Sequence, residues 1–459
     1  MQANLYYQCN VCNSICDLKY QYGFSKKHPI RYKCKCGVTI SGEYSVENGI
    51  KFENATKTDN TNAQFVVNVS GEFLTPSSYE ISSMEDSFKP TTFITAISQM
   101  DYEKYTKAFH TILANRDKKY PRIRIINELH EANNESLLKE KIKEYFDPQG
   151  IRFPLNNKAD ILRAITMINQ FQFLGCSNIT KKTTDLFVQA NREHPDEVNK
   201  YIRFLSSLNR IKEWKHRINT VCGQFYQKVD LLMPAISIDY YYDKSILDSN
   251  DYAITTTSFE DIKQLYVDFY ELIASLLVVP LGLDNILIRG DYTKINNTVE
   301  DLQSVKTLKD VSEMRKKGNI IRLINTNEPL QSLLCTCLDA DVRNSIGHFS
   351  YHSEEISGSH NQAIRFINEY SSDEDIELSL IKICYNIWCM YNCLALFNEL
   401  IHHIELLLLT INEGIAPSFI GNPALTKKMM GITKTKIYPN DLCPCGSGLK
   451  YKKCCKNRI

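Results

Sequence analysis

Hydrophobic and polar positions change period along this chain. Residues 1–55 alternate aromatic and polar side chains around cysteines, as in YKCKCGVTISGEYSV, a period of two that predicts short strands and turns. Residues 56–100 are rich in Asn, Thr and Ser, with β-branched runs such as FVVNV and TTFITAI, and predict a linker with some strand. From Asp101 the period becomes helical: Leu137, Ile142, Tyr145 and Phe146 recur at close to helical spacing, and Ile161, Ile165, Ile168 and Phe171 follow at three and four residues. Asn157-Lys158-Ala159-Asp160 reads as the start of the second run. Together they predict a helical middle domain over 101–245, in which His194, Trp214 and His216 read as ordinary surface or core residues.

A second helical block spans 250–413. Its pattern predicts helices over 259–279, stopped near Pro280, then over 302–317, 330–338 and 375–410. Between the last two, Gly358 among polar residues and the alternating run from Ala363 to Asn368 predict a β-hairpin. Residues 414–437 carry Gly414, Pro417, Gly421 and Pro423 followed by lysines, a basic linker to a last module over 438–459. The expected fold class is mainly α: a helical bundle with a β-hairpin insertion, a second helical domain, and small modules at both termini.

Composition and charge adjust this picture. With 459 residues, 43% hydrophobic and 23% charged, the chain is neither disordered nor collagen-like. It holds no run of about 18–20 uninterrupted apolar residues, and MQANLYYQCN lacks the basic and apolar parts of a secretion signal, so a cytoplasmic protein without a membrane partner is expected. In a reducing compartment its 16 cysteines are free thiols or metal ligands. The net charge is +1, but residues 1–36 carry +5 and residues 426–459 carry +8, which leaves −12 for the body. Basic ends on an acidic body suggest modules that meet polyanions.

The cysteines cluster at those ends. Cys443, Cys445, Cys454 and Cys455 supply four thiols within thirteen residues, a C-x-C hook facing a C-C pair across Gly446-Ser447-Gly448. Four soft donors at that spacing suit tetrahedral zinc, which leaves no open position for catalysis. The string CPCGSGLKYKKCC resembles the SEC-C motif, which implies a zinc-binding recruitment module for proteins, ribosomes or nucleic acid. At the other end Cys9-x-x-Cys12 and Cys34-x-Cys36 are knuckles 21 residues apart, similar to a zinc ribbon, with Cys16 as a competing ligand and Lys33 and Lys35 beside them. Two structural zinc ions are expected.

The second helical block carries a different chemistry. Arg343, Asn344 and His348 fall within six residues, where the helical pattern breaks at Gly347 before the hairpin. RNA cleavage by its own 2′-hydroxyl needs a group that changes protonation near neutrality and a fixed cation for the phosphorane oxygens; His348 and Arg343 suit those roles, with Asn344 to orient either. The string R-N-x-x-x-H, in a helical block followed by a hairpin and a long helix, resembles the HEPN superfamily. That resemblance implies a metal-independent endoribonuclease leaving a 2′,3′-cyclic phosphate, a composite site shared by a homodimer, an RNA substrate such as tRNA, mRNA or rRNA, and the role of a regulated toxin or anti-phage effector.

Tyr351 and His352 lie close enough in sequence to contact substrate. Cys335 and Cys337 have C-x-C spacing but no neighbouring knuckle and read as core; His402-His403 reads as a helix-face pair. No G-x-x-x-x-G-K-[ST], G-x-S-x-G, H-E-x-x-H or G-x-G-x-x-G string is present, which argues against a nucleotide-driven motor. The competing expectation is a non-catalytic adaptor whose zinc modules bind RNA, ribosome or protein partners.

Overall fold

A computed structural model of the chain describes residues 2–77, 91–173, 175–355, 361–367, 375–418, 439–440 and 450–453. Its period-two segment forms β1 (Gln2–Cys9), β2 (Ile15–Gln21), β3 (Lys27–Lys33), β4 (Thr39–Ser45), β5 (Gly49–Phe52), β6 (Ala55–Lys57) and β7 (Phe65–Val69). They build one sheet in the order β6-β1-β2-β7 and another in the order β3-β4-β5. Within the first, Leu5 lies opposite Leu18 in an antiparallel pair, and β7 joins β2 in parallel with Val67 opposite Leu18. The sheets enclose Leu18, Tyr20, Ile30, Tyr32, Ile40, Val67 and Val69. The segment expected to be a linker with some strand supplies β7, because FVVNV alternates buried and half-buried positions and offers β2 an apolar face. A short β8 (Thr75–Pro76) pairs with β9 (Tyr252–Ala253).

Helices dominate the remainder: α1 (Thr92–Gln99), α2 (Tyr102–Ala114), α3 (Tyr120–Glu131), α4 (Glu135–Phe146), α5 (Lys158–Gln170), α6 (Ser177–Glu193), α7 (Pro195–Ser207) and α8 (Ile211–Ile236). Beyond β9 come α9 (Phe259–Leu276), α10 (Val278–Arg289), α11 (Leu308–Glu313), α12 (Lys317–Arg322), α13 (Ala340–His348) and α14 (Leu380–Glu413). Asn157 caps α5 by accepting from the Asp160 N–H at 2.9 Å, the start its sequence announces. In α4 the face turns by one position from that expected: Leu138 is buried and Leu137 exposed.

Pro280 does not stop the helix. The chain breaks at Leu277, and Pro280 falls in the first turn of α10, where backbone N–H groups lack helical partners anyway. The helix expected over 330–338 is reduced to a single turn, Gln331–Leu333. At its start the Leu330 and Gln331 N–H groups donate to the buried Asp284 carboxylate at 2.9 and 3.1 Å. The expected hairpin gains a strand: β10 (Tyr351–Glu355), β11 (Gln362–Phe366) and β12 (Ile376–Ser379) form an antiparallel sheet that leads directly into α14. Gly358 lies outside the described residues.

The two helical blocks are not separate cores. One buried cluster runs from Phe73 to Ile404 and joins Trp214, Phe225, Tyr266, Phe269, Trp388 and Tyr391. Its centre is α14, which packs against α5, α6, α8 and α9; its first two dozen residues are apolar on most sides and so must be surrounded. By length and composition alone Phe259–Arg289 and Leu380–Glu413 could cross a membrane, yet 78% and 50% of their most apolar stretches are buried inside this fold.

Candidate functional site

At the N-terminal end, β1 delivers Cys9, the β1–β2 turn Cys12, the end of β3 Cys34, and the β3–β4 turn Cys36. Both turns are shaped for this. Asn13 and Gly37 adopt left-handed backbone, and the Gly37 N–H returns to the Cys34 carbonyl at 2.8 Å, which folds Cys36 back toward β1. The Val11 N–H donates to the Cys9 sulfur at 3.4 Å, the contact of a knuckle that holds a thiolate. All four sulfurs lie within 4.8 Å of one another, with 4.0 Å from Cys9 to Cys36 and 3.5 Å from Cys12 to Cys34. Tetrahedral bonds of about 2.3 Å set sulfurs about 3.8 Å apart, so this cluster could hold a metal ion without rebuilding the turns. Ser14 brings the Cys12 thiol down to about 6, while burial pushes Cys34 up. Cys16, the competing ligand, stays out: it is 1% exposed in the core of the two sheets, where burial raises its thiol.

The four C-terminal cysteines, Cys443, Cys445, Cys454 and Cys455, lie outside the described residues. Within that stretch the Lys452 N–H meets the Pro439 carbonyl at 2.9 Å.

The third group sits on α13. Asp339 caps this helix by accepting from the Asp341 and Val342 N–H groups at 2.8 and 3.1 Å. The helix does not end at Gly347 but runs through His348, and Phe349 takes the left-handed cap at φ 59°. At about 100° per residue, Asn344 and His348 share a face one turn apart, whereas Arg343 points about 140° away from His348. Arg343 instead leans onto α9, where its Nε lies 2.6 Å from Glu271 Oε1, and its NH1 donates to Asn344 Oδ1 at 3.1 Å. Glu271 also takes Lys317 from α12, so one half-buried carboxylate fixes two cations. Burial pushes that carboxyl up, and Lys317 and Arg343 outweigh it and leave it below its usual range.

Beside the exposed His348 stand an exposed aromatic ring and a lysine paired with Glu260. Phe349 is 78% exposed despite its strained backbone, and Lys263 from α9 lies 5.7 Å above its ring. Lys263 also donates to the Tyr351 hydroxyl at 2.6 Å, which engages that residue in the sheet edge. His352 pairs across β10 and β11 with Arg365. Sequence reasoning missed Glu271, Lys317 and Phe349, since nothing in the local pattern of α9 or α12 points to α13.

The remaining candidates are structural. Trp214 is 1% exposed, and His216 meets Glu131 at 2.9 Å on the surface. His402 is buried against the Thr166 hydroxyl at 3.0 Å, burial lowering it to about 3, and His403 pairs with Glu399 at 3.2 Å.

Compared with known families, residues 440–457 match the SEC-C motif. No curated protein and no solved structure matches the chain. The match spans a short C-terminal stretch and speaks for that stretch alone.

Proposed function

We propose that the chain is an endoribonuclease of HEPN type, cleaving RNA by attack of the 2′-hydroxyl to leave a 2′,3′-cyclic phosphate. The observation that carries this reading is α13: a cation held by Glu271 and Asn344, and an exposed imidazole, on one short helix beside an exposed aromatic ring. In this mechanism His348 takes the 2′-OH proton or returns one to the leaving 5′-oxygen, and Arg343 stabilises the charge gathering on the phosphoryl oxygens. Because Arg343 and His348 diverge around the helix, two copies of α13 facing each other in a homodimer would bring the Arg343 of one protomer toward the His348 of the other.

In this reading the N-terminal thiol cluster and the SEC-C segment each hold a structural zinc ion on four thiolates and recruit or select the RNA. Zinc supplies there a fixed cross-link between turns and no reaction step. The role of a regulated toxin or antiviral effector rests on the HEPN resemblance alone. The test incubates wild type, Arg343→Ala and His348→Ala with total RNA and tRNA in EDTA, and reads the 3′ ends. Cleavage by wild type alone, leaving cyclic phosphates, supports the nuclease. Intact RNA together with wild-type expression no more toxic than His348→Ala overturns it.

A second reading, a non-catalytic adaptor for RNA, ribosome or protein, draws on the SEC-C match and the thiol cluster. A protein that stays monomeric at micromolar concentration and binds ribosomes through residues 440–457 favours it.

A further inference from the structure

The end of α13 carries a residue that its backbone disfavours. Among the described residues, left-handed backbone falls on six glycines, on Asn13, Asn133 and Asn209, and on Phe349. Gly290 closes α10 and Gly414 closes α14, where the missing Cβ makes the turn cheap, and Asn133 and Asn209 follow α3 and α7 with a side chain that tolerates it. Phe349 has neither property. It still holds φ 59° and closes α13, its N–H reaching the Ile346 carbonyl at 3.3 Å while the Ser350 N–H reaches Ser345 at 2.9 Å. A glycine would make the same bonds with less strain.

Packing does not account for the ring. In a continued helix, position 349 would fall three and four residues after Ile346 and Ser345, on the face that α13 buries. The left-handed turn takes it off that face and leaves Phe349 78% exposed, so it shields little surface from water. Lys263, 5.7 Å from the ring centroid, is already engaged by Glu260 and donates to the Tyr351 hydroxyl at 2.6 Å. Nor does the ring belong to an apolar patch: Asn344, Gly347 and His348 share its exposed strip, and Ile346 and Ser350 are buried. A strained residue that presents a bulky ring to solvent beside a site points to function. A flat ring alone among polar groups suits a flat π-face edged by polar atoms better than the apolar face of a protein partner.

We propose that Phe349 is the stacking platform for one unpaired nucleobase beside the phosphate handled by His348, so that the site takes single-stranded or looped RNA and rejects duplex. The inference rests on the ribonuclease reading, which is what brings RNA to α13. A base in a duplex has both faces covered by its neighbours, and only an unstacked base offers one to a side chain. Every base has such a face, so the ring selects for an open strand and not for a sequence. Adjacent Cα atoms are about 3.8 Å apart, which keeps the ring next to the imidazole whatever the rest of the chain does.

The test uses the full chain and single-stranded 2′-fluoro RNA oligonucleotides, which have no 2′-hydroxyl to attack and so stay whole, each carrying one 5-iodouracil. Near-ultraviolet light couples that base to an aromatic ring stacked on it, and peptide mapping locates the link. The link should fall on Phe349. Phe349→Ala should lose it and bind about 5- to 150-fold more weakly, the span of base–aromatic stacking, while Phe349→Trp should keep both the link and the affinity. The same strand annealed to its complement should compete poorly. The inference is overturned if no link forms, if it maps elsewhere, if Phe349→Ala binds as tightly as wild type, or if duplex competes as well as the single strand. Cleavage by wild type against Arg343→Ala and His348→Ala is read separately: a link at Phe349 in a chain that never cuts RNA keeps the platform and removes the nuclease, whereas cleavage without the link removes the platform alone.

Discussion

Glu271 offers a direct measurement of how α13 is held. Glu271→Gln keeps the shape of the side chain and removes the charge that fixes Arg343 at 2.6 Å and Lys317 beside it. The Glu271 and Arg343 side chains are 20% and 33% exposed, so solvent screens the pair in part. Nε and Oε1 are close but not aligned as a hydrogen bond, so the contact counts as a part-exposed ion pair, worth about 0.5–1 kcal/mol. The assay is a double-mutant cycle: Glu271→Gln, Arg343→Ala and the double variant, each unfolded in urea and in a thermal scan. The single variants should fall by that amount, and the double variant by less than their sum, with a coupling energy of about 0.5–1 kcal/mol. Because the folded carboxyl lies below its unfolded value, its contribution is fully present above the unfolded pKa of about 4.3 and fades as pH falls through the folded value. The coupling should therefore vanish in acid. Additivity to within about 0.3–0.5 kcal/mol at neutral pH would refute the claim that Glu271 fixes Arg343.

Three further outcomes are expected. Treatment with a chelator, or Cys12→Ser, should raise hydrogen exchange over residues 2–57 while leaving α9 and α14 protected; unchanged exchange would exclude a structural ion there. Phe349→Gly removes left-handed strain of about 1–2 kcal/mol and loses a cation–π contact worth about 0.5–1 kcal/mol, so unfolding should be unchanged or slightly harder while RNA binding weakens; a markedly less stable variant would show that the ring supports the fold. Burial raises the Asp284 carboxyl to about 6, so the folded state binds the extra proton and stability falls as pH rises from about 4 to 6, by about 2–3 kcal/mol from this group. Asp284→Asn should flatten that part of the stability curve, and an unaltered slope would assign it to other groups.

Much of this protein was legible along the chain because the relevant chemistry is local. Cys9, Cys12, Cys34 and Cys36 are set by knuckles whose turns need Asn13 and Gly37, and the helix start at Asn157 is a side-chain cap three residues deep. Such features depend on neighbours within a few positions, which periodicity and spacing report. The SEC-C segment is likewise a matter of spacing alone.

What tertiary structure decided are the encounters between distant positions. Only packing shows that residues 65–69 complete the N-terminal sheet, that both helical blocks share the core around α14, and that the buried Asp284 takes the Leu330 and Gln331 N–H groups. The same holds for Glu271 on Arg343, 72 positions apart. The sequence by itself determined which residue types stand at α13 and in the cysteine pairs. Which partner each met was settled by the burial of α14, because a helix apolar on most sides must be enclosed, and enclosing it brings α5, α6, α8 and α9 to fixed places around it.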